Sequence, residues 1–204
     1  MALLRQLDLP VHVLFVSDGT MSHPNSRVYP AERLRRLRES EALEALAILG
    51  VGPACATFMH QKDTQVPIPG SPGFADAVDR MVDVLTSCKP TTVLVPWRRD
   101  PHRDHRASWQ ILHEAVHQLT DPPTVLEYLI WLWELGNPAD MPRPEEVTVW
   151  RVAIDAVFGQ RSRAIAAHRS QVTRLINDDP AGFYLSPELL AHFAEPRELF
   201  LEAN

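Results

Sequence analysis

The feature that most constrains the fold is a regular alternation of strand-like and helix-like segments. The runs "VHVLFV" (residues 11–16) and "TTVLVPW" (91–97) are short, apolar and rich in β-branched residues, which is typical of buried strands. Residues 30–49 and 74–88 lie between these runs and carry apolar residues at helical spacing. Strands joined through helices form right-handed crossovers on a mostly parallel sheet. We therefore predict an α/β fold with residues 1–204 as a single domain.

The rest of the chain continues this pattern, with more strands toward the C-terminus. The predicted elements are strands at 54–58, 124–133, 145–154 and 197–203, and helices at 106–119, 159–176 and 186–193. Trp131 and Trp133 would alternate along the strand at 124–133, so we interpret them as packing residues. The segment "QVPIPGSPG" is rich in proline and glycine, which predicts an irregular surface loop.

Composition excludes several classes of function. The net charge is −6 and no basic tract stands out, which argues against nucleic-acid binding, because that binding depends on Lys and Arg contacts to phosphate. The apolar runs are strand-length and too short to span a membrane, and the N-terminus lacks the pattern of a signal peptide. The only cysteines, Cys55 and Cys88, match no zinc spacing and favour a reducing compartment. We expect a cytoplasmic protein.

Two polar loops follow predicted strands and carry the residues most suited to chemistry. They are "SDGT" (17–20) and "RRDPHRDH" (98–105). Ligands of open α/β sheets bind beyond the carboxyl ends of the strands, so both loops are candidates for one site.

The second loop places His102, Asp104 and His105 close together. Imidazole is a common zinc ligand, a carboxylate can fix its tautomer, and a second imidazole can donate a hydrogen bond to developing negative charge. The alternative is that Asp100 or Asp104 caps a helix starting near residue 106, with both histidines merely exposed. Two histidines cannot complete a zinc site, so the spacing of these residues favours neither interpretation over the other.

Other histidines give weaker signals. His168 and Gln171 are one helical turn apart in the predicted helix at 159–176, so they could form a polar edge of the site or lie on the helix surface. The remaining isolated histidines are expected at the surface or the core edge because they lack clustered partners. This group comprises His60, His113, His117 and His192.

Four segments of the chain occur in a fixed order: "VSDGT", "RLRRLRESEALEALAILGV", "TTVLVPWRRDPHRDHRAS" and "AIAAHRSQV". Together they resemble the PIG-L/LmbE family of zinc-dependent de-N-acetylases. The resemblance implies a Rossmann-like three-layer α/β/α fold. It also implies Zn²⁺ as cofactor and hydrolysis of the N-acetyl group of an N-acetylglucosamine-type sugar conjugate or a related amide.

The resemblance also assigns roles by position. His105 matches the zinc-ligating histidine, His102 the histidine that stabilises the oxyanion, and Asp104 the catalytic carboxylate that supports them. The further positions assigned to substrate contact or to support of the site are Asp18, Gly19, Arg38, Glu41, Asp63, His168 and Gln171.

One family feature is absent from the sequence. Members of the family carry "HPDDE", which supplies a histidine and an aspartate to zinc and a second aspartate as general base. No "HPDD" occurs in this chain. Its one His-Pro pair lies in "SHPNS" (22–26), which has no aspartates. We therefore expect a chain that lacks the N-terminal strand, binds zinc weakly through His105, and is impaired as an enzyme.

Three interpretations follow, in order of preference. The first is an ordinary zinc de-N-acetylase in which Met1 of this chain is an internal methionine. The second is a catalytically inactive relative that binds a sugar or a partner. The third is a cation-independent or differently metallated hydrolase that uses only His102, Asp104 and His105. A missing central strand would leave an exposed edge, which is compatible with a homo-oligomer.

Overall fold

The computed structural model describes residues 1–204. In chain order, its helices and strands are α1 (Ala2–Gln6), β1 (Val13–Ser17), α2 (Ala31–Ile48), β2 (Ala56–Gln61), α3 (Phe74–Cys88), β3 (Thr92–Pro96), α4 (Arg103–His117), β4 (Thr124–Tyr128), α5 (Leu132–Leu135), β5 (Val147–Ala153), α6 (Phe158–Ala167), α7 (Arg169–Val172), α8 (Pro187–Ala191) and β6 (Arg197–Ala203). No helix is long and apolar enough to cross a membrane.

The chain forms two compact units. Unit 1 comprises Met1–Asp63 with Ile154–Pro196, and unit 2 comprises Thr64–Ala153 with Arg197–Asn204. The single domain predicted from the sequence stays a prediction.

Unit 1 is built on a parallel strand pair, β1–β2, in which Val13 lies opposite Ala56. Helix α2 packs against α6, and four of its apolar side chains are buried: Leu34, Ala42, Ala45 and Leu46. Gly50 follows the end of α2 with a φ of 80°, the left-handed conformation that glycine adopts without strain.

Unit 2 contains a four-stranded sheet in the order β3-β4-β6-β5. Strands β3 and β4 are parallel, whereas β6 runs antiparallel to both of its neighbours. Trp97, Leu132, Val147 and Leu201 form a buried apolar cluster beside this sheet. The predicted α/β class is confirmed, and its parallel pairs are β1–β2 and β3–β4, while the C-terminal pairings are antiparallel.

Three predicted elements differ from the observed ones. Helix α4 begins at Arg103 rather than near residue 106, because the side chain of His102 caps it. The strand predicted at 124–133 ends at Tyr128, so the interpretation of Trp131 and Trp133 as strand residues is wrong. The helix predicted at 159–176 breaks at His168, whose ψ of 54° is not helical.

Candidate functional site

Helix α4 starts with the two histidines of the "DPHRDH" loop. Strand β3 ends at Pro96, and a turn follows in which the backbone N–H of Asp100 donates to the carbonyl of Trp97. The chain then enters α4 at once, so His102 is its N-cap and His105 lies in its first turn. The two imidazole rings are 4.8 Å apart between centroids.

Asp100 is the organising residue of this loop. It is 0% exposed, and its carboxylate accepts the backbone N–H of His102 at 2.9 Å and that of Trp131 at 3.1 Å. Burial raises the pKa of Asp100, but the adjacent His105 imidazole and the two backbone N–H groups outweigh this effect and hold the pKa below its ordinary value. A buried carboxylate therefore stays ionised beside the histidines.

The contacts of the two imidazoles favour opposite tautomers. Nδ1 of His102 accepts the backbone N–H of Asp104 at 3.2 Å, so in the neutral ring the proton sits on Nε2. Nδ1 of His105 lies 3.1 Å from Oδ1 of Asp100. This contact is within ion-pair distance but poorly aligned for a hydrogen bond, and it favours a proton on Nδ1. His102 is thereby suited to donate through Nε2, and His105 to offer a lone pair on Nε2.

Asp104 holds the loop that precedes α3. It is 3% exposed, and its carboxylate accepts the backbone N–H groups of Thr64 at 2.6 Å and Val66 at 3.3 Å. Arg103 donates to the carbonyls of the same two residues at 3.1 and 2.9 Å. Asp104 therefore anchors this loop to the start of α4, and the helix position of His102 and His105 depends on that anchor.

The side chains present do not complete a zinc site. His105 offers one suitably oriented nitrogen, but no group of three or more His, Cys, Asp or Glu side chains is arranged to hold a metal ion. Protein zinc sites use three or four such ligands. The donor set of these 204 residues therefore does not fit zinc, and the chemistry assigned to the site is that of the chain's own groups.

Four of the remaining predicted residues lie together in unit 1. Asp18, at the end of β1, accepts the backbone N–H of Asp63 at 3.1 Å, and Asp63 in turn accepts the backbone N–H of Met21 at 2.9 Å. Gly19 has a φ of 66°, and a Cβ there would lie 2.5 Å from Nη1 of Arg38. Only glycine leaves room for this approach of the guanidinium to the loop.

Arg38 is the cation of this group. Burial lowers the pKa of Arg38, while the carboxylates of Asp63 and Glu41 act in the opposite direction. Its Nε atom is buried without a hydrogen-bond partner. A partly desolvated guanidinium surrounded by carboxylates fixes the loop that follows β1 through charge rather than through a complete set of hydrogen bonds.

Glu41 ties α2 to α7. It is 0% exposed and accepts the backbone N–H of Ser170 at 2.8 Å and its hydroxyl at 2.6 Å. This long-range pair ends the regular helix at His168, because the N–H of Ser170 is held by Glu41. The predicted proximity of His168 and Gln171 is observed, with Nε2 of Gln171 3.3 Å from Nδ1 of His168. Burial lowers the pKa of His168.

Sequence reasoning missed the central role of Asp100 and the position of Trp131. Asp100 entered only as an alternative helix cap, and Trp131 as a packing residue of a strand. In the structure, the indole of Trp131 stacks near His102 with ring centroids 6.4 Å apart. An aspartate two positions before a histidine at a helix start was the available signal for Asp100, whereas nothing local placed Trp131 there.

Comparison with known proteins identifies the family. The family described as "PIG-L: GlcNAc-PI de-N-acetylase" matches residues 1–116, a range that contains both strand-end loops and ends within the last turn of α4. A search of curated protein sequences found no significant match.

Solved structures share the fold at low sequence identity. N,N'-diacetylchitobiose deacetylase from Pyrococcus horikoshii is 18% identical with a TM-score of 0.64, and the match covers 94% of this chain and 66% of that one. A deacetylase of the teicoplanin biosynthesis pathway is 17% identical with a TM-score of 0.69, covering 100% of this chain and 90% of that one. A zinc-inhibited form of teicoplanin deacetylase matches with a TM-score of 0.65 at 17% identity, with the same coverage.

The same fold also supports a different reaction. The 4-carboxy-2-hydroxymuconate hydratase from Pseudomonas putida KT2440 is 17% identical with a TM-score of 0.66, covering 99% of this chain and 87% of that one. At these identities the structural likeness establishes a Rossmann-like α/β fold, and the site must carry the argument about chemistry. The sequence match over more than half of the chain establishes that it belongs to the PIG-L family of de-N-acetylase hydrolases.

Proposed function

We propose that the chain acts on an N-acetylated sugar conjugate and that hydrolysis of its N-acetyl group takes place at the start of α4. The observation that carries this proposal is the opposite orientation of the two imidazoles, one suited to donate and one suited to ligate. Amide hydrolysis passes through a tetrahedral intermediate with a negatively charged oxygen, and a positioned donor stabilises it.

In this proposal His102 donates its Nε2–H to the developing oxyanion. The backbone N–H of Asp104 keeps the proton on that nitrogen by occupying Nδ1, and the Trp131 indole lies roughly parallel to the ring with centroids 6.4 Å apart. Asp104 is assigned a supporting role, because it holds the first turn of α4 in place. Asp100 is assigned as a positioning residue for His105.

We further propose that His105 supplies the one zinc-ligand nitrogen of these residues, so that Zn²⁺, the cofactor implied by the family resemblance, is bound weakly or not at all by this chain. A single imidazole binds zinc weakly because affinity comes from several ligands. We therefore expect this chain to lose zinc during dialysis against a weak chelator. Retention of one equivalent at His105 after such dialysis would contradict this expectation.

The remaining residues that the resemblance assigns all belong to unit 1. Asp18, Gly19, Arg38 and Asp63 fix the loop after β1 through the contacts described above. Glu41 holds Ser170 at the start of α7, next to the pair of His168 and Gln171.

The test is acetate release from a panel of N-acetylated sugar conjugates, measured with and without added Zn²⁺. His102→Ala should keep metal binding but lower turnover by about 10²–10³-fold, the usual cost of one oxyanion donor. His105→Ala should abolish the metal dependence. The matched control is His192→Ala, which changes an exposed histidine. Equal loss of zinc in the His102 and His105 variants would contradict this division of roles between the two histidines.

The second candidate function is a sugar-binding family member that does not hydrolyse its ligand. The incomplete donor set favours it, since only one zinc-ligand nitrogen is oriented at the start of α4. Calorimetric binding of an N-acetylated sugar without acetate release in the presence of Zn²⁺ would support this function over the first. Light scattering on the same sample tests the proposed homo-oligomer.

A further inference from the structure

Two histidines near the C-terminal end of α4 form a pair outside the candidate active site. His113 and His117 are four residues apart, so they project from the same face of the helix. Both are exposed, and their ring centroids are 4.2 Å apart. The sequence-based expectation of unclustered surface histidines was therefore wrong about the clustering.

The backbone fixes the tautomer of one of them. Nδ1 of His117 lies 2.8 Å from the carbonyl oxygen of His113. A carbonyl oxygen only accepts, so Nδ1 must carry the proton. The lone pair of the neutral ring is then on Nε2, which is the arrangement that protein metal sites use to orient a histidine ligand.

We propose that His113 and His117 form a two-histidine site for a divalent transition-metal ion. Imidazole nitrogen suits Cu²⁺, Ni²⁺ and Zn²⁺, and Cu²⁺ binds most tightly of the three to a given set of nitrogen ligands. Metal–nitrogen bonds of about 2 Å bring one ion within reach of both rings after a rotation of His113. Solvent completes the coordination, because the pair lies on the exposed face of α4.

This site is separate from the start of α4. His113 follows His105 by two helical turns, which corresponds to about 12 Å along the helix at about 1.5 Å per residue. The proposal therefore does not depend on the proposed deacetylase function. It does predict that metal added to restore activity will also load this pair, so the metal content of the protein will exceed the number of active-site ions.

Trp109 provides a built-in reporter. Its ring is stacked on His113 with centroids 4.6 Å apart and an angle of 24° between planes. Cu²⁺ is paramagnetic and quenches the fluorescence of a nearby indole. Trp109 and His113 are one helical turn apart, so Trp109 stays close to an ion at the pair after His113 rotates. Binding should therefore quench Trp109 more than the other four tryptophans.

The experiment is a fluorescence titration of the full chain with CuCl₂. We expect saturable quenching that is lost in Trp109→Phe. A second ligand linked to the first raises affinity by about 10²–10⁴-fold, so His117→Ala and His113→Ala should each weaken the binding by at least about 10²-fold. Circular dichroism of both variants verifies that they fold, and His192→Ala serves as the matched control.

The controls separate this site from the candidate active site. His105→Ala should leave the quenching of Trp109 unchanged, even if it abolishes the metal dependence of activity. If His105→Ala removes the quenching, or if the His113 and His117 variants titrate like the unmodified chain, the two-histidine site is wrong. Neither result would bear on the deacetylase proposal.

Discussion

Replacing Asp100 by Asn tests the central contact of the candidate site. The substitution keeps the shape of the side chain but converts one oxygen of a fully buried carboxylate into an NH₂ group. One carboxylate oxygen accepts from the backbone N–H of His102 and faces Nδ1 of His105, and the other accepts from the backbone N–H of Trp131. An amide has a single acceptor oxygen, so it can serve only one of these two sides.

The magnitude follows from the contact that is lost. If the amide oxygen stays with His102 and His105, the NH₂ group faces the backbone N–H of Trp131, which becomes an unsatisfied donor. Loss of a hydrogen bond to a charged group costs about 1.5–3 kcal/mol. Removing the charge also relieves the burial cost of the carboxylate, but the lowered pKa of Asp100 shows that its contacts outweigh that cost. We expect the free energy of unfolding to fall by about 2 kcal/mol.

Urea denaturation measures this loss. With an m-value of about 2 kcal/mol/M, the midpoint should fall by about 1 M at unchanged m. The control is Asp121→Asn at an exposed position, where a change within about 0.5 kcal/mol is expected. NMR of the ring nitrogens should show a weaker preference for the Nδ1–H tautomer of His105. An unchanged midpoint together with an unchanged tautomer would refute the organising role of Asp100.

Three further predictions concern unit 1. Gly19→Ala should lower the unfolding free energy by about 2 kcal/mol, because a φ of 66° strains alanine and its Cβ would meet the Arg38 guanidinium; thermal denaturation measures this, and an unchanged midpoint would contradict it. Ser170→Ala should cost about 2 kcal/mol by removing the buried hydroxyl donor to Glu41, and a loss below about 0.5 kcal/mol in urea would show that this bond contributes little. A serine hydroxyl and backbone N–H groups lower the pKa of Asp178, so its stabilising effect is present above its unfolded pKa of about 3.9 and is lost as pH falls through the folded value. Stability should therefore fall less steeply below pH 5 in Asp178→Asn than in the unmodified chain, and equal slopes would contradict the assignment.

The sequence predicted the bounds of those helices and strands whose ends depend on residues close by in the chain. The predicted bounds of α3 and β6 match the observed Phe74–Cys88 and Arg197–Ala203. Helix α3 has glycine before it and a left-handed Lys89 after it, so both ends are defined within one turn. The strand-end position of both polar loops was also predictable, because short apolar runs of β-branched residues precede them.

Long-range hydrogen bonds decided the elements that the sequence did not predict. The break at His168 depends on Ser170 bonding to Glu41, 129 residues away in sequence. Strand β4 ends at Tyr128, and three residues later the backbone N–H of Trp131 donates to the carboxylate of Asp100, which belongs to a different segment. Apolar periodicity continues through both places, so hydrophobic pattern alone predicts regular structure there.

The sequence by itself determined which residues lie in the loop after β3. It also determined which family the chain resembles. It placed His102, Asp104 and His105 in one loop, because residue spacing is a property of the chain. Only the tertiary structure decided what each imidazole can do. The proton of His102 is placed by a helix cap, and that of His105 by a carboxylate buried between segments that are distant in sequence. A tautomer depends on the partner at each nitrogen, and the fold supplies those partners.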